Sequence, residues 1–159
     1  MGKEVDRTYV TDRLRALCSR REYCSSDILK KAASMLDGNM DEARIILDKL
    51  IEDKYVDDYR YSCAYARDKA SIAGWGEVKI RYMLRAKGVA GDVIDAAMTE
   101  IDDAKADQRL LKLMQNKYKS LRNDPQARLK LIRYAVGRGY SYEEVTSVIN
   151  QVINNNEEI

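Results

Sequence analysis

Residues 43–50 read Ala-Arg-Ile-Ile-Leu-Asp-Lys-Leu, and the same apolar pattern returns 51 positions later at 94–101 and again at 145–152. Spacings of three and four residues place the apolar side chains on one face of a helix. That face is formed by Ala43, Ile46, Leu47 and Leu50, then by Ile94, Ala97, Met98 and Ile101, then by Val145, Val148, Ile149 and Val152. A helix face that recurs at a fixed interval indicates tandem repeats.

The helix preceding each of these segments repeats with the same period. Its apolar positions are Leu29, Ala32 and Ala33, then Ile80, Met83 and Leu84, then Leu131, Tyr134 and Ala135. With one proline and no alternating run of β-branched residues, the chain has little from which to build a sheet. We therefore predict an all-α fold of three tandem three-helix repeats, similar to helix-turn-helix units, over 1–55, 56–102 and 103–159. Such repeats pack side by side into an elongated array and present a surface to a partner.

Charge alternates along the chain although the total is only +2. Residues 109–138 carry a net charge of +8 and residues 67–88 carry +4, whereas 37–58 and 89–108 carry −5 each. A separation that follows the repeat predicts a positive side facing a polyanion or an acidic protein groove. The alternative is a set of solvated helix faces joined by ion pairs.

The candidate partner-binding residues are the basic side chains of the second and third repeats. Glu77, Arg81 and Arg85 are spaced four apart, which also fits a simple ladder of salt bridges. The candidates are Arg67, Lys69, Lys79, Arg81, Arg85, Lys87, Lys117, Lys119, Arg122, Lys130, Arg133 and Arg138.

Three further motifs have structural interpretations. Adjacent Asp57 and Asp58 could bind Mg²⁺, but at a helix start they are better explained as caps. Tyr61 and Tyr65 are predicted core residues, because a chain without phenylalanine needs tyrosine for bulk. The glycines of Gly74-Trp75-Gly76 lack the strand of a phosphate loop and are predicted to let helices approach closely. Trp75 then either packs across a repeat boundary or lies exposed for a partner.

The sequence offers no credible catalytic site. The chain has no histidine, and Cys18, Cys24 and Cys63 complete neither a disulfide framework nor a zinc shell. We expect reduced thiols, no metal or cofactor, and a monomeric, non-enzymatic protein. No segment resembles a signal peptide or a membrane span, so a cytoplasmic location without membrane association is expected.

Several motifs resemble those of one known family. They are Val56-Asp57-Asp58-Tyr59-Arg60-Tyr61 with Ala64-Tyr65 and Arg67, then Gly74-x-Gly76 with Ile80, Leu84 and Lys87-Gly88-Val89, and finally Arg138-Gly139-Tyr140-Ser141. Their order and spacing are similar to the RecX family, bacterial regulators of the recombinase RecA. Glu77 stands where that family usually has proline, and Met83 where an acidic residue is common.

The resemblance implies a curved, elongated body that lies in the groove of the RecA–DNA filament. Such a protein limits filament growth and damps strand exchange, ATP hydrolysis and SOS coprotease activity, with the DNA phosphate backbone as a further candidate contact. Two alternatives stay open at this point. One is a helical protein that binds nucleic acid without reading its sequence, and the other is an adaptor for another protein.

Overall fold

The computed structural model describes residues 6–157, which form nine helices and no strand. The all-α helical-repeat fold is thus confirmed. The helices are α1 (Arg7–Arg20), α2 (Ser25–Met35), α3 (Met40–Glu52), α4 (Asp58–Ser71), α5 (Glu77–Ala86), α6 (Gly91–Met98), α7 (Asp103–Leu121), α8 (Ala127–Gly137) and α9 (Tyr142–Glu157).

The 51-residue period extends to the backbone. The turn after the second helix of each repeat has a residue in the left-handed region at the same position, namely Asp37 (φ 55°), Gly88 (φ 80°) and Gly139 (φ 102°). These three positions are 51 residues apart. In the first repeat Gly38 (φ 85°) is left-handed as well. A left-handed residue ends a helix by redirecting the chain, and glycine adopts this conformation without a steric penalty.

Helix starts are set by short polar side chains. Asn39 accepts a hydrogen bond from the backbone N–H of Glu42, and Asp102 accepts one from that of Ala104. Asp57 does the same for the N–H of Arg60 at 3.0 Å, which confirms its predicted capping role. These side chains satisfy amide groups that the helix itself cannot pair.

The described residues fall in two compact units. The first unit lies within Met1–Ala64 and Leu84–Ala97, and the second within Tyr65–Met83 and Met98–Ile159. The residues predicted to form the second repeat are therefore shared between the two units. Each unit is described by itself below.

Each unit has its own apolar core. In the first, α1, α2 and α3 bury Val10, Leu14, Ile28, Ala32, Ala33, Ala43, Ile46, Leu47, Leu50 and Val56. In the second, α7, α8 and α9 bury Leu110, Met114, Tyr118, Leu121, Leu131, Ala135, Tyr140, Val145, Ile149 and Val152. The predicted repeat faces supply six of the ten buried residues of the first core and five of the ten of the second. Five predicted face residues are only half-buried: Leu29, Met83, Ile101, Tyr134 and Val148.

The prediction that Tyr61 and Tyr65 are core residues needs correction. Both tyrosines are half-buried, and the buried line of α4 is instead Ser62, Ala66 and Ala70. These residues are four apart, so they lie on one face of the helix. Each tyrosine is displaced by one position from this line and lies beside it.

Candidate partner-binding surface

A close backbone contact in the second unit brings the α4–α5 loop against the α8–α9 turn. The N–H of Gly76 donates to the carbonyl of Arg138 at 2.9 Å, and the N–H of Val78 donates to the carbonyl of Gly139 at 3.0 Å. Both donors lie at the start of α5, where a helix has no acceptors of its own. The turn of one repeat therefore caps a helix of the preceding repeat.

Glycine is required on both sides of this Gly76–Gly139 contact. A Cβ atom at Gly76 would lie 2.4 Å from the carbonyl oxygen of Gly139, and one at Gly139 would lie 2.3 Å from the Cβ of Lys79. The predicted role of Gly76 in close helix approach is confirmed. Gly74 has a different role, because its φ is +71° and a Cβ there would meet nothing nearer than 3.9 Å.

The corresponding segments of the first unit, 51 residues earlier, are joined by side chains. The hydroxyl of Ser26 donates to the carbonyl of Lys87 at 2.5 Å, whereas the backbone N–H of Ser25, at the position equivalent to Gly76, donates to the carboxylate of Asp58 at 2.7 Å. The Lys87 ammonium also lies 3.1 Å from the carboxylate of Asp27. The start of α2 is thus joined to the Lys87-Gly88 turn both by a hydrogen bond and by an ion pair.

Trp75, next to the Gly76–Gly139 contact, carries two lysine side chains on its ring. The ammonium of Lys79 lies 4.4 Å from the ring centroid and that of Lys69 lies 4.8 Å from it. The ring of Tyr65 meets the indole edge-on, with centroids 6.4 Å apart. A cation over an aromatic face is attracted to its electron density, which favours this placement of both lysines beside the half-buried indole.

Tyr134 organises a second pair of cations in the same unit. Lys117 lies 5.0 Å and Arg138 lies 5.5 Å from its ring centroid. The guanidinium of Arg138 also donates to the Tyr134 hydroxyl at 3.4 Å and to the carbonyl of Ala73 at 3.5 Å. Four predicted binding residues, Lys69, Lys79, Lys117 and Arg138, are therefore placed against aromatic rings, and we call them the ring-bound cations.

Three of the other predicted residues form ion pairs with carboxylates. Arg81 pairs with Glu77 at 2.8 Å, Lys130 with Asp124 at 2.5 Å, and Lys87 with Asp27. These residues match the salt-bridge alternative. The remaining candidates, Arg67, Arg85, Lys119, Arg122 and Arg133, are exposed. Arg85 and Lys87 belong to the first unit, whereas the other ten candidates belong to the second.

Tyr134 belongs to this surface, although its spacing predicts a place on the buried face of its helix. The ring is half-buried and supports Lys117 and Arg138. One local signal was available, because Tyr134 and Arg138 are four residues apart and so share a helix face. The contact with Lys117 comes from α7 and had no local signal.

The pKa values of two groups, Tyr140 and Asp27, are shifted by their surroundings. Burial raises the pKa of the Tyr140 hydroxyl, which donates to the carbonyl of Gly74 at 3.3 Å, while the nearby charge of Arg109 opposes the rise. Burial also disfavours ionisation of Asp27, but hydrogen bonds from Lys87 and Cys24 outweigh it and hold the pKa of this carboxyl below its ordinary value. The Lys87–Asp27 pair is thus ionised at neutral pH.

The three cysteines are free; Cys24 is buried and the other two are half-buried. Burial raises the pKa of the Cys18 thiol, with the charge of Glu22 adding to the rise. Within residues 6–157, no three His, Cys, Asp or Glu side chains are grouped so that they could hold a metal ion. No helix in that part of the chain is long and apolar enough to cross a membrane.

The fold and this surface define a tandem three-helix repeat protein that presents positioned cations. Two family models match the chain: "RecX, second three-helix domain" over residues 57–98 and "RecX, third three-helix domain" over residues 105–149. Together they cover more than half of its length. The chain belongs to the RecX family.

Individual relatives agree with this assignment. The regulatory protein RecX of Clostridium tetani is 30% identical over 112 residues, which are 68% of this chain and 51% of the relative. That of Mycolicibacterium smegmatis is 31% identical over 119 residues, which are 71% of this chain and 63% of the relative. The chain spans about half the length of the first of the curated relatives it matches.

Two solved structures share the fold. A crystal structure of regulatory protein RecX matches with a TM-score of 0.81 and 25% identity, over 91% of this chain and 71% of the other. The crystal structure of RecX from Lactobacillus salivarius matches with a TM-score of 0.78 over 92% of this chain and 96% of the other. At 16% identity the second match supports the fold alone.

Proposed function

We propose that this chain is a non-enzymatic regulator that binds the RecA–DNA filament and restrains recombination, ATP hydrolysis and SOS coprotease activity. Family membership supports the regulatory role, since the relatives are regulatory proteins by name. The observation that carries the proposed binding mode is the group of four ring-bound cations in the second unit. They provide a positive surface for an acidic groove or a phosphate backbone.

Ring contacts make these cations better binding groups than ordinary surface lysines. A free lysine loses up to about 2 kcal/mol of side-chain entropy when a partner immobilises it. Lys69 and Lys79 are already held against Trp75, so less of that entropy remains to be lost on binding. The net charge of +8 over residues 109–138 adds a field that attracts a negative partner at longer range.

Inhibition of RecA ATP hydrolysis on single-stranded DNA tests the proposal. The test variant carries Lys69→Gln, Lys79→Gln and Lys117→Gln. We expect each lost charge to cost roughly 0.5–1 kcal/mol, so that together they weaken inhibition about 10- to 100-fold. Circular dichroism should show unchanged helicity, because glutamine and lysine have similar helix propensities.

A matched control removes the same charge elsewhere. Lys30→Gln, Lys31→Gln and Lys105→Gln lie outside the ring-bound cations, and Lys31 also gives up a contact with an aromatic ring, that of Tyr23 at 5.6 Å. This control should inhibit like the wild type. If the test variant inhibits as well as the wild type, the ring-bound cations are not part of the binding surface. If the wild type does not inhibit at all, the regulatory role itself is refuted.

The exposed cations of the third repeat favour a second candidate function, binding of nucleic acid without reading its sequence. Lys119, Arg122 and Arg133 are all exposed within the strongly basic segment 109–138. Neutralised phosphates release counterions, so the affinity for DNA alone would fall steeply with salt. For a single strand, each phosphate contact lowers the binding constant by roughly 0.7 logarithmic units for every tenfold rise in salt concentration. DNA binding with that slope in the absence of RecA would support this function.

A further inference from the structure

Successive repeats contact one another in the same way in both units. In the first unit the start of α2 contacts the Lys87-Gly88 turn of the second repeat, where the Ser26 hydroxyl donates to the carbonyl of Lys87. In the second unit the start of α5 contacts the Arg138-Gly139 turn of the third repeat through two backbone hydrogen bonds. The start of the second helix of one repeat therefore binds the turn after the second helix of the next repeat.

The start of α8 is the third copy of this donor segment, and its hydrogen-bonding groups are open. Leu129 lies 51 residues after Val78, and within residues 6–157 its backbone N–H donates no hydrogen bond. The side chain of Gln126, the residue before the helix, does not cap these amides. Arg128, which lies two periods after Ser26, is exposed. The described part of the chain therefore leaves this segment uncovered.

The Leu36-Asp37 turn after α2 is the first copy of the acceptor segment, and it is open as well. It lies 51 residues before Lys87-Gly88. Asp37 is exposed and left-handed, and its carbonyl accepts no hydrogen bond from any residue that the structure describes. A Cβ added at the neighbouring Gly38 would meet no atom within 4 Å. Nothing among these residues covers the turn.

We propose that the start of α8 in one copy of this chain binds the Leu36-Asp37 turn of a second copy. The two open segments are the donor and acceptor halves of an interface that the chain already forms twice between its own repeats. Their charges are complementary, because α8 starts within segment 109–138 of net charge +8, whereas Asp37 begins segment 37–58 of net charge −5. Opposite charges favour this pairing over contacts between two like ends.

The first-unit contact is the better template for this interface. In the second unit a Cβ at Gly139 would lie 2.3 Å from the Cβ of Lys79, so a contact of that form would reject the Cβ of Asp37. In the first unit a Cβ at Gly88 would lie 3.8 Å from the Cβ of Ser26, which is an ordinary van der Waals distance. Asp37 is therefore compatible with a contact made by side chains.

Arg128 supplies the donor in this contact, because it occupies the position of Ser26. Its guanidinium can donate to the carbonyl of Leu36 and pair with the carboxylate of Asp37. One of its N–H groups already donates to the side chain of Asn150 at 2.8 Å, but an arginine has five. Hydrogen bonds between a guanidinium and a carboxylate are among the stronger ones.

The proposed interface joins two different segments, so it is heterologous. Contacts of this kind add copies one after another, or close into a ring, instead of stopping at a two-fold dimer. The contact is small, and interfaces well below about 1,200 Å² are weak. We expect a dissociation constant of about 0.1–1 mM, so the chain remains a monomer at micromolar concentration.

Sedimentation equilibrium of the full chain, from about 10 μM to about 1 mM, tests the proposal. With the expected dissociation constant, the weight-average mass should reach about two monomer masses or more at the highest concentration. A mass that stays at the monomer value over the whole range would overturn the proposal. So would a mass that levels off at the dimer value, because it would indicate a closed two-fold contact.

Two charge reversals identify the segments. Arg128→Glu should preserve the fold, because glutamate is favourable in the first turn of a helix. Asp37→Lys is compatible with its backbone, since the chain already holds Lys54 in the left-handed region at φ 64°. Each variant alone should associate at least tenfold more weakly than the wild type. A 1:1 mixture should associate again, because the two reversed charges are opposite in sign.

Lys112→Glu is the matched control, because it makes the same charge change at an exposed position of α7 and should associate like the wild type. Wild-type association by either reversed variant alone, or no recovery in their mixture, would refute the proposed pairing. The samples contain neither recombinase nor DNA, so these outcomes are independent of the proposed regulation of RecA.

Discussion

Replacing Gly76 with alanine should destabilise the second unit, because Gly76 is buried against the backbone of Gly139 and Tyr140. The added Cβ would lie 2.4 Å from the carbonyl oxygen and 2.5 Å from the carbonyl carbon of Gly139, and 2.6 Å from the nitrogen of Tyr140. All three are backbone atoms, so no side-chain rotation can relieve the overlap. Ordinary van der Waals contact begins at 3.4 Å, and the loop must retreat by about 1 Å.

The cost follows from what that retreat breaks. Two hydrogen bonds cross the contact, from Gly76 to Arg138 and from Val78 to Gly139, and each contributes about 0.5–1.5 kcal/mol net. The strain of overpacking adds about 1–3 kcal/mol. We therefore expect a loss of about 4 kcal/mol, which for a chain of this length lowers Tm by about 8–16 °C.

Thermal unfolding followed by circular dichroism, with Trp75 fluorescence as a second signal, measures this loss. Gly137→Ala is the matched control, because a Cβ at Gly137 would meet no atom within 4 Å. At the end of α8, alanine should leave stability unchanged or raise it by up to about 1 kcal/mol. If Gly76→Ala has the same Tm as Gly137→Ala, the close contact and the capping of α5 by the turn are both refuted.

Two further predictions concern stability. Tyr65→Ala should lower the free energy of unfolding, measured by urea denaturation, by about 1–2 kcal/mol, because the ring is only half-buried. Leu131→Ala in the core should lower it by about 2–5 kcal/mol. Equal losses would place Tyr65 in the core after all. The Lys87–Asp27 pair should stabilise the first unit above the ordinary carboxyl pKa of 3.8. Since folding lowers the pKa of Asp27, this contribution disappears as the pH falls below 3.8. Asp27→Asn should remove that part of the pH dependence of the free energy of unfolding. The same pH dependence in the variant and the wild type would show that the pair does not contribute.

Local pattern was sufficient to predict the helical repeat. Ala43, Ile46, Leu47 and Leu50 are buried as expected, because one face of a helix is encoded by residues three and four positions apart. Gly139 follows a helix and is left-handed, a conformation that is common for a glycine at that position. Both features depend only on neighbours along the chain.

The buried line of α4 shows where pattern reasoning failed. Large apolar side chains were assumed to face inward, yet Ser62 and Ala66 are buried while Tyr61 and Tyr65 are half-buried. Which face of a helix is buried depends on which other parts of the chain pack against it. Composition alone does not contain that information.

The candidate surface was likewise only partly contained in the sequence. Charge counting indicated a basic region correctly, but it could not separate Lys79, held on Trp75, from Arg81, paired with Glu77. That distinction depends on which rings and carboxylates the fold brings within a few ångströms. Side chains one turn apart on a helix can be placed from the sequence, whereas contacts between distant segments exist only once the core has packed.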